Sequence, residues 1–166
     1  MLEKLQPLLS EMQKVSPLKE NEKVPTFSTS DSQGNKISDQ SLLGKNYIFY
    51  FYPRDNTPGC TAQACGFRDN YDFFIKKNIL LFGISGDSAK SHENFIKKYN
   101  LPFPLIMDED HSLARTFGVW GEKKFMGKTF EGIHRMSFFI NDSGIIEKTF
   151  TKVKAKTHPL ELKEIL

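Results

Sequence analysis

Cys60 stands at a position where a thiol becomes reactive. It follows a loop that starts at Pro53, and it falls in the first turn of a predicted helix. A cysteine reacts as its thiolate, and an ordinary thiol with a pKa of about 8.5 is only a few per cent ionised at neutral pH. The unpaired N–H groups and the dipole at a helix start favour the anion. The position of Cys60 therefore predicts a nucleophilic thiol.

The residues that lead into Cys60 fit a binding site for a small ligand. Thr57 can direct its hydroxyl at the sulfur or at a bound oxygen. Pro58 removes a backbone donor and stiffens the approach, and Gly59 lets a ligand come close to the backbone. A lone cysteine or a Pro-Gly pair at a helix start is usually only a packing or turn feature. The combination of Pro53, Thr57, Pro58-Gly59 and Cys60 behind an apolar strand is much less common by chance, and it favours a reactive site.

Arg135 is a candidate charge partner for the thiolate. It lies in a largely apolar segment, 133–140, that we predict as one strand. A guanidinium in such a strand needs an anion or a route to solvent. Either Arg135 is an edge-strand residue that reaches water, or it holds the Cys60 thiolate and stabilises the negative charge that develops when the sulfur attacks a substrate.

The second cysteine, Cys65, lies five residues after Cys60 in the same predicted helix. In an intact helix their Cα atoms would be about 8.5 Å apart, beyond the roughly 7 Å limit for a disulfide. Cys65 is therefore either a bystander, or the helix must unwind locally for the two cysteines to bond.

The elements that must position these residues alternate between strands and helices. Apolar and aromatic runs predict strands at 46–52, 79–85, 105–107, 133–140 and 145–150, and helical spacing predicts helices at 61–77, 88–99, 111–117 and after His158. A turn-rich cluster at 31–35 predicts an earlier hairpin. The order predicts an α/β fold, a thioredoxin-like sandwich with a central mixed β-sheet flanked by helices and an N-terminal β-hairpin.

Composition limits the classes of function. The chain has 166 residues, enough for one domain, and its 23 basic and 20 acidic residues give a net charge of only +3 without a nucleic-acid patch. Helical spacing at 2–15 predicts an N-terminal amphipathic leader over 1–20, without a catalytic part, before a domain over 21–166. The sequence shows no secretory signal and no apolar run of about 20 residues, so we expect a cytoplasmic protein that does not enter membranes.

Several stretches resemble one family. Pro53, Thr57 and Cys60 match the peroxiredoxin motif Pro-x-x-x-Thr-x-x-Cys. Longer matches resemble the bacterioferritin comigratory protein, or peroxiredoxin Q, subfamily, and they lie at 49–54, 57–61, 64–69, 108–111, 117–123 and 132–135. The likeness runs from about residue 22 to the C-terminus.

The resemblance implies a thiol peroxidase that reduces hydrogen peroxide and organic hydroperoxides through a sulfenic acid on Cys60. Thr57 and Arg135 would bind the thiolate and the substrate, and Pro53 would shield the pocket. Cys65 matches the resolving position, which forms an intramolecular disulfide that thioredoxin or a similar dithiol reduces. The resemblance implies no cofactor or metal. Members of the subfamily are often monomers, so we expect a monomer, with a weak dimer as the alternative.

Three other functions compete with this interpretation. A dithiol oxidoreductase shares the fold but usually needs Cys-x-x-Cys. A non-catalytic interaction domain could retain the same fold. A metal-binding module would need ligand spacing that the histidines lack, so we expect each to be a surface or capping residue: His92, His111, His134 and His158. The sequence does not rank hydrogen peroxide against alkyl or lipid hydroperoxides.

Overall fold

The structure, a computed structural model, describes residues 14–166. The described strands are β1 (Ser28–Asp31), β2 (Lys36–Ser38), β3 (Asn46–Phe51), β4 (Ile79–Ser85), β5 (Leu105–Met107), β6 (Trp120–Phe125), β7 (Lys128–Ile133), β8 (Met136–Ile140) and β9 (Ile146–Phe150). The described helices are α1 (Pro58–Asp69), α2 (Tyr71–Lys76), α3 (Ala89–Tyr99), α4 (Ser112–Thr116) and α5 (His158–Ile165).

Seven strands form one mixed sheet in the order β2-β1-β5-β4-β3-β8-β9. Strand β4 pairs in parallel with β3 and with β5, and the other neighbours are antiparallel. Strands β6 and β7 form a separate antiparallel hairpin. The predicted mixed sheet, flanking helices and early hairpin are confirmed.

Strand β3 lies inside the sheet because it is apolar on both faces. Successive side chains of a strand point to opposite faces, so one strand can supply two cores. Its alternating residues and the residue after it enter two hydrophobic clusters, Tyr47, Phe49 and Phe51 in one and Ile48, Tyr50 and Tyr52 in the other. The chain that leaves this buried strand is the loop that carries the candidate residues.

The prediction of one continuous helix at 61–77 is wrong, because the helix is interrupted at Asn70. Helix α1 ends there, where the backbone has φ −113° and ψ 12°, and α2 starts at the next residue. The Asn70 amide donates to the Gly66 carbonyl oxygen at 2.8 Å. An asparagine side chain that bonds to nearby backbone groups in this way favours a helix end over a helix interior.

The predicted strand at 133–140 is also wrong in its continuity. Strand β7 ends at Ile133 and β8 begins at Met136, so Arg135 lies in the junction between them. The β6–β7 hairpin was not predicted. Its turn has Met126 at φ 50° and Gly127 at φ 76°, and two positive φ angles are typical of a tight hairpin turn. Met is an unusual residue at such a position, so the turn signal was weak.

The predicted helix at 2–15 falls almost entirely outside the described residues. The segment that follows packs on the domain: the Ser16 N–H donates to the Gly118 carbonyl at 3.0 Å, and Val15 and Leu18 contact the core. Gly118 has φ +75°, and a Cβ there would stand 1.9 Å from the Ser16 carbonyl oxygen. This close approach therefore requires glycine. None of the helices within residues 14–166 is long and apolar enough to span a bilayer.

Candidate active site

Cys60 is the third residue of α1 and is buried, with 2% of its surface exposed. Thr57 is the N-cap residue in extended conformation, and Pro58 occupies the first helical turn, where a missing N–H costs no hydrogen bond. The first turn carries no acidic side chain. The backbone partial charge at the sulfur is therefore positive, as the sequence predicted.

Arg135 reaches this sulfur from the β7–β8 junction. Its Nη2 atom lies 3.2 Å from Cys60 Sγ, and its Nη1 donates to Gln63 Oε1 at 2.5 Å. Gly59 lies beside the guanidinium, and a Cβ there would stand 3.4 Å from Nη2, in van der Waals contact. The two residues that sequence reasoning paired are brought together, and Arg135 is placed where it can donate a hydrogen bond to the Cys60 sulfur.

Gln63 is a site residue that the sequence analysis missed. It is completely buried and holds the Arg135 guanidinium through its carbonyl oxygen. Residues three apart on a helix lie on the same face, so the spacing from Cys60 could have indicated it. The Gln63 amide therefore fixes the direction in which the guanidinium meets the sulfur.

The Thr57 hydroxyl donates to the Arg54 carbonyl at 2.9 Å. A hydroxyl has a single proton, so in this state Thr57 can only accept a hydrogen bond from a ligand. Pro53 is exposed and lines an open groove of about 350 Å³ with Trp120, Lys123 and other residues of the β6–β7 hairpin. The groove passes beside the loop that leads to Cys60.

Lys123 is a second cation near the sulfur that was not predicted as a site residue. Its ammonium donates to the Ile133 carbonyl at 2.8 Å. Burial lowers the pKa of Lys123 and the Arg135 guanidinium adds to the lowering, whereas Cys60 acts in the opposite direction. Lys123 belongs to a stretch that carried the family resemblance, but no local spacing indicated that it would approach Cys60.

Both cysteines are free, and both lie within the intact α1. Cys65 is half-buried, and Phe67, two residues later, is completely buried. The phenyl ring of Phe67 stacks on Tyr50 with ring centroids 4.6 Å apart. A bond between the cysteines therefore requires α1 to unwind against the packing of Phe67.

Two histidines are not the surface or capping residues that we predicted, because His92 and His158 are completely buried. His158 Nε2 lies 2.8 Å from Ser137 Oγ, and the ring packs against Phe67 and Phe150. His92 contacts the Asp55 carboxylate at 2.7 Å. Residues distant in the chain bind both ring nitrogens of His92 and the Nε2 of His158, and local sequence does not reveal such partners.

We expect His158 to make the fold less stable in mild acid. Burial lowers the pKa of His158 below its ordinary value, although Glu161 acts in the opposite direction. The unfolded chain therefore binds more protons below about pH 6.5, and the free energy of unfolding falls as pH drops through this window. Urea unfolding at about pH 7.5 and about pH 5.5 measures this loss, which should be smaller in His158→Gln than in the wild type. An equal loss in both proteins would assign the acid sensitivity to other groups.

The comparisons with known proteins agree with this geometry. Residues 21–149 match the model of the AhpC/TSA family. The chain is 45% identical over 144 residues to the peroxiredoxin Bcp of Escherichia coli K12, covering 87% of this chain and 92% of that protein. It is 40% identical over 145 residues to the peroxiredoxin Bcp of Bacillus subtilis 168, with coverage of 87% and 92%. A solved peroxiredoxin Q from Xanthomonas campestris superposes with a TM-score of 0.79 at 35% identity, covering 84% of this chain and 88% of that one.

Proposed function

Because the chain belongs to the AhpC/TSA family, in its bacterioferritin comigratory protein or peroxiredoxin Q group, we propose that Cys60 is the thiol with which this peroxidase reduces hydroperoxides. Its thioredoxin-like fold follows from the same likeness. The observation that carries the assignment of Cys60 is the 3.2 Å contact between its sulfur and the Arg135 guanidinium at a helix start.

In the first step the Cys60 thiolate attacks the terminal oxygen of a hydroperoxide. The S–O bond forms as the O–O bond breaks, so Cys60 becomes a sulfenic acid and the leaving oxygen takes a proton to give water or an alcohol. Arg135 lies where it can stabilise the negative charge that moves from sulfur to the leaving oxygen. Thr57, as an acceptor, can orient the protonated oxygen of the substrate.

In the second step Cys65 resolves the sulfenic acid. Its thiol condenses with Cys60–SOH, an S–S bond forms, and water leaves. The resulting intramolecular disulfide would be reduced by thiol–disulfide exchange with thioredoxin or a similar dithiol, which is oxidised in turn. Because the intact helix separates the two sulfurs, this step follows local unwinding of α1.

The substrate class extends to organic hydroperoxides. A solved structure that is 34% identical, with a TM-score of 0.79, is described as giving insights into the alkyl peroxide reduction activity of the Xanthomonas campestris bacterioferritin comigratory protein. The groove beside Pro53 supports such a substrate here, because Phe130 and Ile133 give part of its wall an apolar character.

One equivalent of hydrogen peroxide added to the reduced protein tests this function. We expect the wild type to lose both thiols and two hydrogen atoms in mass, because the oxidised product is an internal disulfide. Cys65→Ser should lose one thiol and gain one oxygen, which is the trapped sulfenic acid. If the wild type retains both thiols, Cys60 is not a peroxidatic cysteine. If Cys65→Ser matches the wild type without an internal disulfide in either protein, an external thiol resolves Cys60.

A further inference from the structure

The loop between β3 and α1 contains a buried carboxylate that has no part in the proposed chemistry. The Asp55 side chain is 2% exposed and that of His92, on α3, is 0% exposed. The Tyr52 hydroxyl donates to Asp55 Oδ1 at 2.5 Å, and the Ser91 hydroxyl donates to Oδ2 at 2.9 Å. His92 Nδ1 lies 2.7 Å from the same Oδ2. A buried charge with this many partners fixes its segment of chain.

The contacts of His92 define the charge of the pair. Its Nε2 lies 3.0 Å from the Ile106 carbonyl oxygen, which can only accept a hydrogen bond. A neutral imidazole has one N–H and cannot also donate to a carboxylate. The pair therefore holds one proton more than a neutral imidazole beside a carboxylate, and its net charge is zero. Besides its contact with His92, the Asp55 carboxylate accepts from the Tyr52 and Ser91 hydroxyls.

The same loop is tied at its backbone. The Asp55 N–H donates to Asp87 Oδ2 at 2.8 Å, and the Ser85 hydroxyl donates to that oxygen at 2.6 Å. Asp55, Asp87 and His92 bring metal-ligating atoms within 4.8 Å of one another, but these hydrogen bonds already use the Asp55 carboxylate and both nitrogens of His92. The cluster is therefore a hydrogen-bonded anchor between the loop, the end of β4 and α3.

We propose that Asp55 and His92 are positioning residues that hold the loop 53–57 and, through it, set the place of Cys60 against Arg135. Few residues separate Asp55 from Cys60. The Thr57 hydroxyl donates to the carbonyl of Arg54, the neighbour of Asp55, and Thr57 is the N-cap of α1. Asn56, at φ 55°, adds a second tie, since its side-chain oxygen accepts from the Tyr99 hydroxyl at 3.0 Å. A shift of the loop would move the helix start relative to the guanidinium, which the separate β7–β8 junction holds.

Asp55→Asn, compared with Asp31→Asn, tests this role. Asp31 is a matched control because it is buried and accepts from the backbone of Gln33 and of Asn35, each at 2.9 Å. Two strands separate its strand, β1, from β3. Both variants are made in a Cys65→Ser background so that only Cys60 reports. The measurements are the rate with hydrogen peroxide, the rate of iodoacetamide alkylation against pH, and the thermal midpoint.

We expect Asp55→Asn to slow both reactions by about ten- to a hundredfold and to move the alkylation profile to higher pH, because displacement of a reacting group has effects of this size. Asp31→Asn should lower the thermal midpoint and leave both rates unchanged. If Asp55→Asn behaves like Asp31→Asn, the pair is only structural and the proposal is overturned. Should Asp55→Asn not fold, Tyr52→Phe and Ser91→Ala each remove one donor, and unchanged rates in both would overturn it equally.

This inference rests on the proposed function only in that Cys60 is the reacting group. If the parent Cys65→Ser protein does not consume peroxide, the proposed function fails. The alkylation profile still decides whether Asp55 positions the Cys60 thiol, because iodoacetamide needs no peroxide site.

Discussion

Replacing Arg135 with methionine is expected to slow the reaction of Cys60 with hydrogen peroxide by about two to three orders of magnitude. The guanidinium lies 3.2 Å from the sulfur and faces the position where charge develops as the O–O bond breaks. Removal of one preorganised donor from such a position raises a barrier by about 3–4 kcal/mol. Stopped-flow measurement of thiol loss with excess peroxide gives the rate constant, and Cys60→Ser gives the background.

Substitutions of two other cations show whether the effect of Arg135 comes from its contact with the sulfur or from its charge at longer range. Arg68→Met removes a guanidinium near the far end of α1, where it donates to the Tyr99 carbonyl at 2.8 Å, and we expect its rate to be unchanged. The rate constant of Lys123→Met should lie between those of Arg135→Met and Arg68→Met, because Lys123 interacts with Cys60 but donates to a carbonyl instead of the sulfur. If Arg135→Met and Arg68→Met slow the reaction equally, the effect is general electrostatics and not the contact with the sulfur.

Phe67→Ala is expected to reduce the free energy of unfolding by about 3–5 kcal/mol, the usual cost of truncating a buried phenylalanine. The ring is fully buried, stacks on Tyr50 at 4.6 Å and meets Phe74 and Phe103 at 5.9 and 6.3 Å. For a chain of this length the thermal midpoint should fall by about 6–20 °C. Urea unfolding followed by circular dichroism measures the change.

The β6–β7 hairpin supplies the matched control for this truncation. Phe125→Ala removes a ring that is 67% exposed, so we expect a change of less than about 0.5 kcal/mol. The free energy of unfolding of Phe67→Leu, which keeps most of the buried volume, should lie between those of the two alanine variants. Equal stability of Phe67→Ala and Phe125→Ala would show that α1 is not anchored through Phe67.

Local sequence predicted the strands of the central sheet and the early hairpin well, but it missed the break at Asn70 and the β6–β7 turn. The bounds of β4 and β5 are those predicted, because short apolar runs bounded by polar residues leave little choice of register. The break at Asn70 depends on a side chain that caps its own helix, and the β6–β7 turn uses Met126 at positive φ. Neither the helix break nor the β6–β7 turn changes the spacing of apolar residues in a way that would predict it.

Some residues of the candidate site could likewise be predicted from local sequence, and others could not. The position of Cys60 at a helix start followed from local pattern. Arg135 was a candidate partner because it is a charged residue in an apolar segment, and the family resemblance implied the same pairing. Gln63 was visible in principle from helical spacing. The Asp55–His92 contact joins residues 37 apart in the chain, so only the fold reveals it. Buried polar pairs of this kind depend on tertiary packing, to which hydrophobic periodicity is insensitive.

The break at Asn70 has a consequence for how the molecule fluctuates. Helix α2 has a buried side chain, Phe74, which meets Phe67 near the end of α1, so the turns of α1 before Phe67 can open as a separate cooperative unit while α2 stays packed. In native-state hydrogen exchange, the amides of α1 should then exchange with a lower opening free energy than those of β3. The fraction of time that this unit is open would scale the rate of disulfide formation. Asn70 would thus confine the flexibility that turnover requires to one short segment, and the amides of the sheet would stay protected from hydrogen exchange.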